Sequence, residues 1–191
     1  MNSETVTSPS VLIRELSADD SIQALTDMLH RAYAPLAHSG MNFTAVNQTV
    51  EVTLRRIADG QCFVAIDSGA IVGTVTVSGP FDPSIALWAL QTPWYYQADT
   101  AHFHQFAVEP DRQGQGLGNQ LVARCEQWAR EKGYAHMALD TALPAQHLRA
   151  RYAKLGYRDE GEVQWEGKTY RSAIMVKSLD MDAERDEEDR L

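Results

Sequence analysis

The chain is short of cysteine, of positive charge and of long apolar runs, and each shortage closes off a class of protein. Its two cysteines, Cys62 and Cys125, lack the spacing of a metal site and read as buried free thiols, so no metal is expected. No apolar run approaches the roughly 18 residues of a membrane span. The opening MNSETVTSPS has neither a basic n-region nor an apolar h-region. A cytosolic protein with no membrane partner is the expectation. Lysine and arginine number 17 against 26 acids, a net charge of −9. Without a basic face nothing holds a phosphate backbone, so no nucleic-acid partner is expected. The excess of acid is uneven: residues 180–191 carry seven acids and two arginines, a net −5, leaving about −4 for the rest. That tail reads as a solvated, disordered charge run, and the polar residues 1–10 as a disordered start. Between them, residues 11–179 form one domain, since 44% hydrophobic content over 191 residues supplies a real core.

What the chain does have is the stretch from Ala101 to Gly118, AHFHQFAVEPDRQGQGLG. It reads as a strand (His102 to Val108), a turn at Glu109-Pro110-Asp111, and a glycine-rich entry into a helix. Gly114, Gly116 and Gly118 leave the backbone unobstructed, so successive N–H groups can face one anion at the positive end of that helix. A plain flexible turn is the alternative. The dinucleotide fingerprint, with its acid about 20 residues on, and the P-loop, with its terminal G-K-[ST], both fail on detail.

The remaining elements follow from periodicity and punctuation. Val11 to Leu16 is a strand. Ser17 or Asp19 caps a helix with Ile22, Leu25, Met28, Leu29 and Ala32 on one face, ended by Pro35. Val46 to Ala58 is a second helix, stopped by Gly60. Cys62 to Ile66 and Ala70 to Val77 make a hairpin around Asp67-Ser68-Gly69. An irregular stretch, Phe81 to Thr100, precedes the central strand. Leu117, Leu121, Val122, Cys125, Trp128 and Ala129 form an apolar stripe on a helix terminated by Gly133. Tyr134 to Thr141 is a strand, and Pro144 opens a helix reaching Leu155, with Gly156 at its end. Tyr157 to Trp165 and Thr169 to Leu179 form a last hairpin. Periodicity alone gives an α/β or α+β domain.

The run Gln113-Gly114-Gln115-Gly116-Leu117-Gly118, a [RQ]-x-x-G-x-[GA] pattern after Ala107-Val108-x-Pro110, resembles the acetyl-CoA loop of the GNAT superfamily of N-acetyltransferases. With the order of elements, the resemblance covers residues 11–179. It implies a mixed, largely antiparallel sheet of about seven strands flanked by helices, with its two central strands splayed apart. It also implies acetyl-CoA as co-substrate. The extended, amide-bearing pantetheine arm would pair with the edge of the strand at Phe106, Ala107 and Val108, as an added strand would. The pyrophosphate would lie on the N–H groups from Gly114 to Asn119, with Gln113 at the family's Gln/Arg position. Arg112 is either a cation beside the phosphates or a solvated surface residue.

Acyl transfer to an amine needs a neutral nucleophile, and an alkylammonium has a pKa of roughly 10. A group must therefore accept a proton, and the leaving thiolate profits from a donor. His102 and His104, two apart on one strand, share a face and can take a proton near neutral pH; packing or metal binding are the other uses of such a pair. The strand is similar to that of the arylalkylamine N-acetyltransferases, where the pair is associated with proton removal through water. Tyr152, in Tyr152-Ala153-Lys154-Leu155-Gly156-Tyr157, matches the family's Y-x-x-x-G-[FY] ending, where the tyrosine donates to the coenzyme sulfur. One departure is Ala145, seven residues earlier, where many members carry Asn; Gln146 is the candidate substitute.

Trp88, Trp94, Tyr95 and Tyr96 crowd the insert before the central strand. They read either as an acceptor pocket, whose faces attract a cation or an aryl group, or as a cover over the sheet edge or a homodimer contact. Asp82, Asp99 and Glu109 are candidate ammonium partners, and the mild acidity of the domain agrees with a cationic acceptor. The favoured reading is an acetyl-CoA-dependent N-acetyltransferase acting on the primary amine of a small molecule by direct attack in a ternary complex, with the Val108 N–H donating to the thioester oxygen. The rival is a non-catalytic acyl-CoA-binding sensor.

Overall fold

The computed structural model describes residues 11–179. The expected disordered ends, 1–10 and 180–191, lie outside the described residues. The chain runs β1 (Leu12–Glu15), α1 (Ile22–His38), α2 (Val50–Ala58), β2 (Gln61–Asp67), β3 (Ala70–Ser78), β4 (Thr100–Val108), α3 (Leu117–Glu131), β5 (His136–Ala142), α4 (Gln146–Lys154), β6 (Arg158–Val163) and β7 (Ser172–Ser178). The strands form one mixed sheet in the order β1-β2-β3-β4-β5-β7-β6, antiparallel except for the parallel β4–β5 pair. This is the α/β architecture that the resemblance implies.

Two helix boundaries differ from the sequence reading. α1 does not stop at Pro35 but continues to His38. Proline removes one backbone donor, a small loss in the last turn, and Ser39 closes that turn by donating through Oγ to the Pro35 carbonyl at 3.2 Å. Its cap is Ser21, whose hydroxyl accepts from the Ala24 N–H, and not Ser17 or Asp19; Ser17 instead donates to Asp20, which also accepts from Arg14. α2 begins at Val50 because Thr49 accepts from the Val52 N–H and fixes the first turn there. Residues 44–46 make a separate 3-10 turn.

The core lies on both faces of the sheet. α3 buries Leu117, Leu121, Val122, Cys125 and Ala129 against Phe63, Val75 and Phe103 on one side. α1 buries Leu25, Met28 and Leu29 against Val64 and Ala107 on the other. Each such leucine is worth roughly 1.5–3 kcal/mol on burial, so the two helices fix β4 between them. The insert from Phe81 to Thr100 folds as two 3-10 turns and covers Ala138, Ile174 and Val176 of β5 and β7. Among the described residues no helix is long and apolar enough to cross a membrane.

Candidate active site

β4 is paired with β3 over most of its length but with β5 only through Thr100, Ala101 and His102. Beyond His102 the two central strands part. Gln105 sits at φ 50°, a left-handed conformation rare outside glycine, and the β3–β4 register shifts there. This bulge rephases the strand: Phe103 and Phe106, three apart, pack together with ring centroids 6.0 Å apart. In a strand the N–H and C=O of one residue point to the same side. Tyr33 Oη donates to the Phe106 carbonyl at 2.9 Å, and Gln113 Nε2 to the Val108 carbonyl at 3.1 Å. Both side chains come from outside the sheet, so the backbones of Phe106 and Val108 face the gap, while the intervening Ala107 pairs with Thr74 of β3.

The glycine loop follows directly. Gly114 and Gly116 adopt φ values of 76° and 80°, which glycine takes without steric cost. Among the described residues, the N–H groups of Gly114, Gln115, Gly116, Leu117 and Gly118 have no protein acceptor. These five successive donors stand at the N-terminus of the 15-residue α3, where the helix dipole adds partial positive charge. A hollow of about 300 Å³ opens over them, lined by Val108, Arg112, Gln113, Gly114, Gly116, Gly118, Asn119 and Arg151. Leu117 turns inward to the core, and Gln115 Nε2 ties back to the Asp111 carbonyl. Arg112 is held at 2.6 Å by Asp67, the last residue of β2, while it lines the hollow. A Cβ at Gly118 would run into the Arg151 guanidinium and press on Phe106, so this glycine lets Arg151 lie across the helix entrance. An anionic coenzyme fits this arrangement: the loop meets a pyrophosphate with unpaired donors, and the gap-facing backbone meets an amide-bearing arm.

A second cavity, of about 420 Å³, shares Val108, Gln113 and Arg151 with the hollow and extends into the gap. Tyr152 and His104 both line it. Tyr152 packs its ring against Phe103, Phe106 and Tyr157. Its hydroxyl makes no hydrogen bond among the described residues, and burial raises its pKa. His104 forms part of the wall, with its pKa held well below the ordinary histidine value by burial first and then by Arg56 and His102. His102 stands behind it, 2% exposed, its ring 4.2 Å from Phe81 and 5.9 Å from His104. Burial lowers His102 to about 3, and neither ring nitrogen has a protein partner.

The other candidates fall elsewhere. Trp88, Trp94, Tyr95 and Tyr96 do not line the cavity; Tyr95 reaches its edge only by donating to Asp140 at 2.7 Å. Trp88 packs edge-on to Phe81, Tyr95 and Trp165, and Trp94 against His136. Asp82 holds its own turn at Ser84, Asp99 lies beside His136, and Glu109 is bound by Arg31. Ala145 is buried at the start of α4, and Gln146 lines neither cavity.

Sequence reasoning missed the polar residues that do line the cavity. Asp140 of β5 accepts from Tyr95 and from Trp165 Nε1. Arg56 of α2 and Lys168 of the β6–β7 turn line it as well, though far apart in the chain. Arg56 and Lys168 read as surface charge in a linear pattern, and only the folded chain brings them to one cavity.

Known proteins share this fold. The ribosomal-protein-S18-alanine N-acetyltransferase from Escherichia coli superposes on 90% of this chain and 96% of its own with a TM-score of 0.66 at 18% identity. A GNAT family acetyltransferase from Elizabethkingia anophelis with acetyl-CoA bound covers 88% of this chain and 97% of its own, with a TM-score of 0.60 at 17% identity. The chain thus has the fold of these two proteins. The sequence profile of the Acetyltransferase (GNAT) family matches residues 23–157, and the chain belongs to that family. The S-(2-succino)cysteine N-acetyltransferase of Bacillus subtilis (strain 168) is 28% identical over 170 residues, 86% of this chain and 94% of that protein. Human N-acetyltransferase 8B is 32% identical over 104 residues, 54% of this chain and 41% of that protein. The protein is an acetyl-CoA-dependent N-acetyltransferase, which sets the sensor reading aside.

Proposed function

We propose that the enzyme moves an acetyl group from acetyl-CoA to the primary amine of a small molecule, by direct attack within a ternary complex. The observation that carries this reading is the continuity of the two cavities along Val108, Gln113 and Arg151. A coenzyme anchored by the loop donors and threaded along Phe106, Ala107 and Val108 presents its thioester to the wall that holds Tyr152 and His104. Holding both reactants in one cavity converts a bimolecular encounter into an oriented one.

Each side chain then has a defined task. The Val108 N–H donates to the thioester oxygen as charge grows on it. Tyr152, kept protonated by burial, donates to the departing thiolate. His104 is neutral at pH 7 and offers a ring lone pair to the amine's proton. Its lowered basicity makes it a relay rather than a store, so the proton passes on to water, with His102 stacked behind it. Aromatic walls of Phe43, Trp165, Tyr170 and Tyr33 suit a small acceptor better than an extended peptide.

The test is an acetylation screen over amino-acid amines, arylalkylamines, polyamines and peptide N-termini, read by thiol release. S-(2-succino)cysteine belongs in it because the Bacillus subtilis relative bears its name. The Tyr152→Phe variant should lose roughly 10²-fold or more in kcat while acetyl-CoA affinity, measured by calorimetry, barely changes. A screen in which only peptide N-termini react overturns the small-molecule reading, and wild-type turnover in Tyr152→Phe removes the donor role.

A further inference from the structure

Besides Arg151, which the acceptor cavity shares with the hollow over the glycine loop, two more cations face it without a counter-ion. Arg56 lines it, and Nη1 donates to Gln48 Oε1 at 2.8 Å. Gln48 is 4% exposed; its amide nitrogen is bound by Thr53 Oγ1 at 2.7 Å and by Gln105 Oε1 at 2.6 Å. Thr53 is bound in turn by Thr26. This buried chain holds the guanidinium in one place before any ligand arrives. Lys168 lines the same cavity with Nζ donating to the Asn42 carbonyl at 2.9 Å and to Thr44 Oγ1 at 3.0 Å. Among the described residues, neither Arg56 nor Lys168 has a carboxylate within 4.0 Å. Burial and mutual repulsion lower the pKa of Lys168, and Asp140 offsets this only in part.

Partly buried charge without a partner is costly, and two like charges in one cavity compound the cost. An anionic ligand that enters the cavity relieves both. The coenzyme does not supply that anion in the proposed pose, because its phosphates lie over the glycine loop beside Arg112 and Arg151. The pantetheine arm that enters the gap is uncharged. Asp140, its two oxygens already fixed by Tyr95 and Trp165, is the one acid on the cavity wall, and it suits an ammonium.

We propose that the acceptor is an amine that also bears a carboxylate, an amino-acid-type zwitterion or anion, whose carboxylate is held by Arg56 and Lys168. This deepens the small-amine reading above and rests on it. The mild overall acidity of the domain points to a cationic acceptor; the cavity lining does not, because its cations outnumber its single acid. Arg56 and Lys168 act as specificity residues that orient the acceptor, with the amine left toward Asp140 and His104.

The experiment has a kinetic arm and a binding arm. In the first, kcat/KM is measured for matched amines with and without a carboxylate, such as an α-amino acid and its decarboxylated amine. Wild type should prefer the carboxylate-bearing member, and Arg56→Gln should cut that ratio about 10²-fold, chiefly through KM. Arg55→Gln, an exposed neighbour on the same helix, should leave the ratio as it is. Lys168→Gln should lower it in the same direction. In the second arm, succinate is titrated calorimetrically into the CoA-saturated protein, and its binding should depend on Arg56. Succinate binding that is absent, or equal in wild type and Arg56→Gln, overturns the proposal. So does an equal fall for both amines of a pair. If Arg56→Gln instead weakens acetyl-CoA binding and leaves the ratio unchanged, the missing anion belongs to the coenzyme and the proposal fails. Arg56-dependent succinate binding in a protein that acetylates no amine keeps the carboxylate site and sinks the function reading.

Discussion

In the proposed mechanism Tyr152 and His104, which line one cavity, have opposite protonation demands, and burial meets both. It raises the phenol, so the donor stays protonated, and lowers the imidazole, so the acceptor stays free. In the proposed relay His104 touches the cavity and His102 backs it, so their substitutions should not weigh equally. His104→Gln should cost more than His102→Gln, and the double variant should lose most of its activity near pH 7. That loss should shrink as pH rises toward the amine's own pKa of roughly 10, where free amine is abundant and no base is needed. The measurement is kcat/KM against pH for wild type, both singles and the double. A double variant with the wild-type profile would leave Asp140 as the better candidate base. At this scale the sequence reading was uneven. His104, Tyr152 and the loop residues, which line the two cavities, were singled out by short local patterns. Asp140, Arg56 and Lys168 are ordinary charges in strand, helix and turn, and their meeting depends on how distant elements cross.

At the level of elements, β4 and the start of α3 act as one unit. The strand gives a backbone edge, the bulge at Gln105 turns Phe106 toward Tyr152, and the loop offers its five unpaired donors. Gly116→Glu should therefore abolish acetyl-CoA binding in a calorimetric titration. It forces a side chain into the left-handed region and sets an acid where the proposed pose puts the phosphates. Retained affinity in a folded variant would remove the loop from the coenzyme site. The strand, loop and helix were legible because glycine, proline and the apolar stripe signal them locally. The continuation of α1 past Pro35 and the late start of α2 were not. Each depends on a single hydroxyl, at Ser39 and Thr49, whose partner is a matter of a few degrees of backbone.

Over the whole molecule, the buried histidines couple stability to pH. An unfolded histidine titrates near 6.5, whereas His102 titrates at about 3 in the folded protein. Below pH 6.5 the unfolded chain binds a proton that the folded one refuses, so stability must fall as pH drops from 6.5 toward 3. The slope is about 1.4 kcal/mol per pH unit for each such histidine. Between pH 7.5 and 5 His102 alone should cost about 2 kcal/mol, and His102→Phe should recover that part. Urea unfolding at the two pH values checks it; an unchanged pH dependence in the variant would mean that His102 takes up its proton inside the fold. The single mixed sheet and the parting of its central strands came from family resemblance, and the strand order only from the structure, since alternation marks strands but not their neighbours.

That parting has a consequence for how the protein reports its own state. The amides of Phe106 and Val108 face the gap rather than the ladder, so they should exchange with deuterated solvent far sooner than the β3-facing amide of Ala107. Filling the gap with the coenzyme's arm would slow those two and leave Ala107 as it is, giving a readout of occupancy that needs neither turnover nor an identified acceptor.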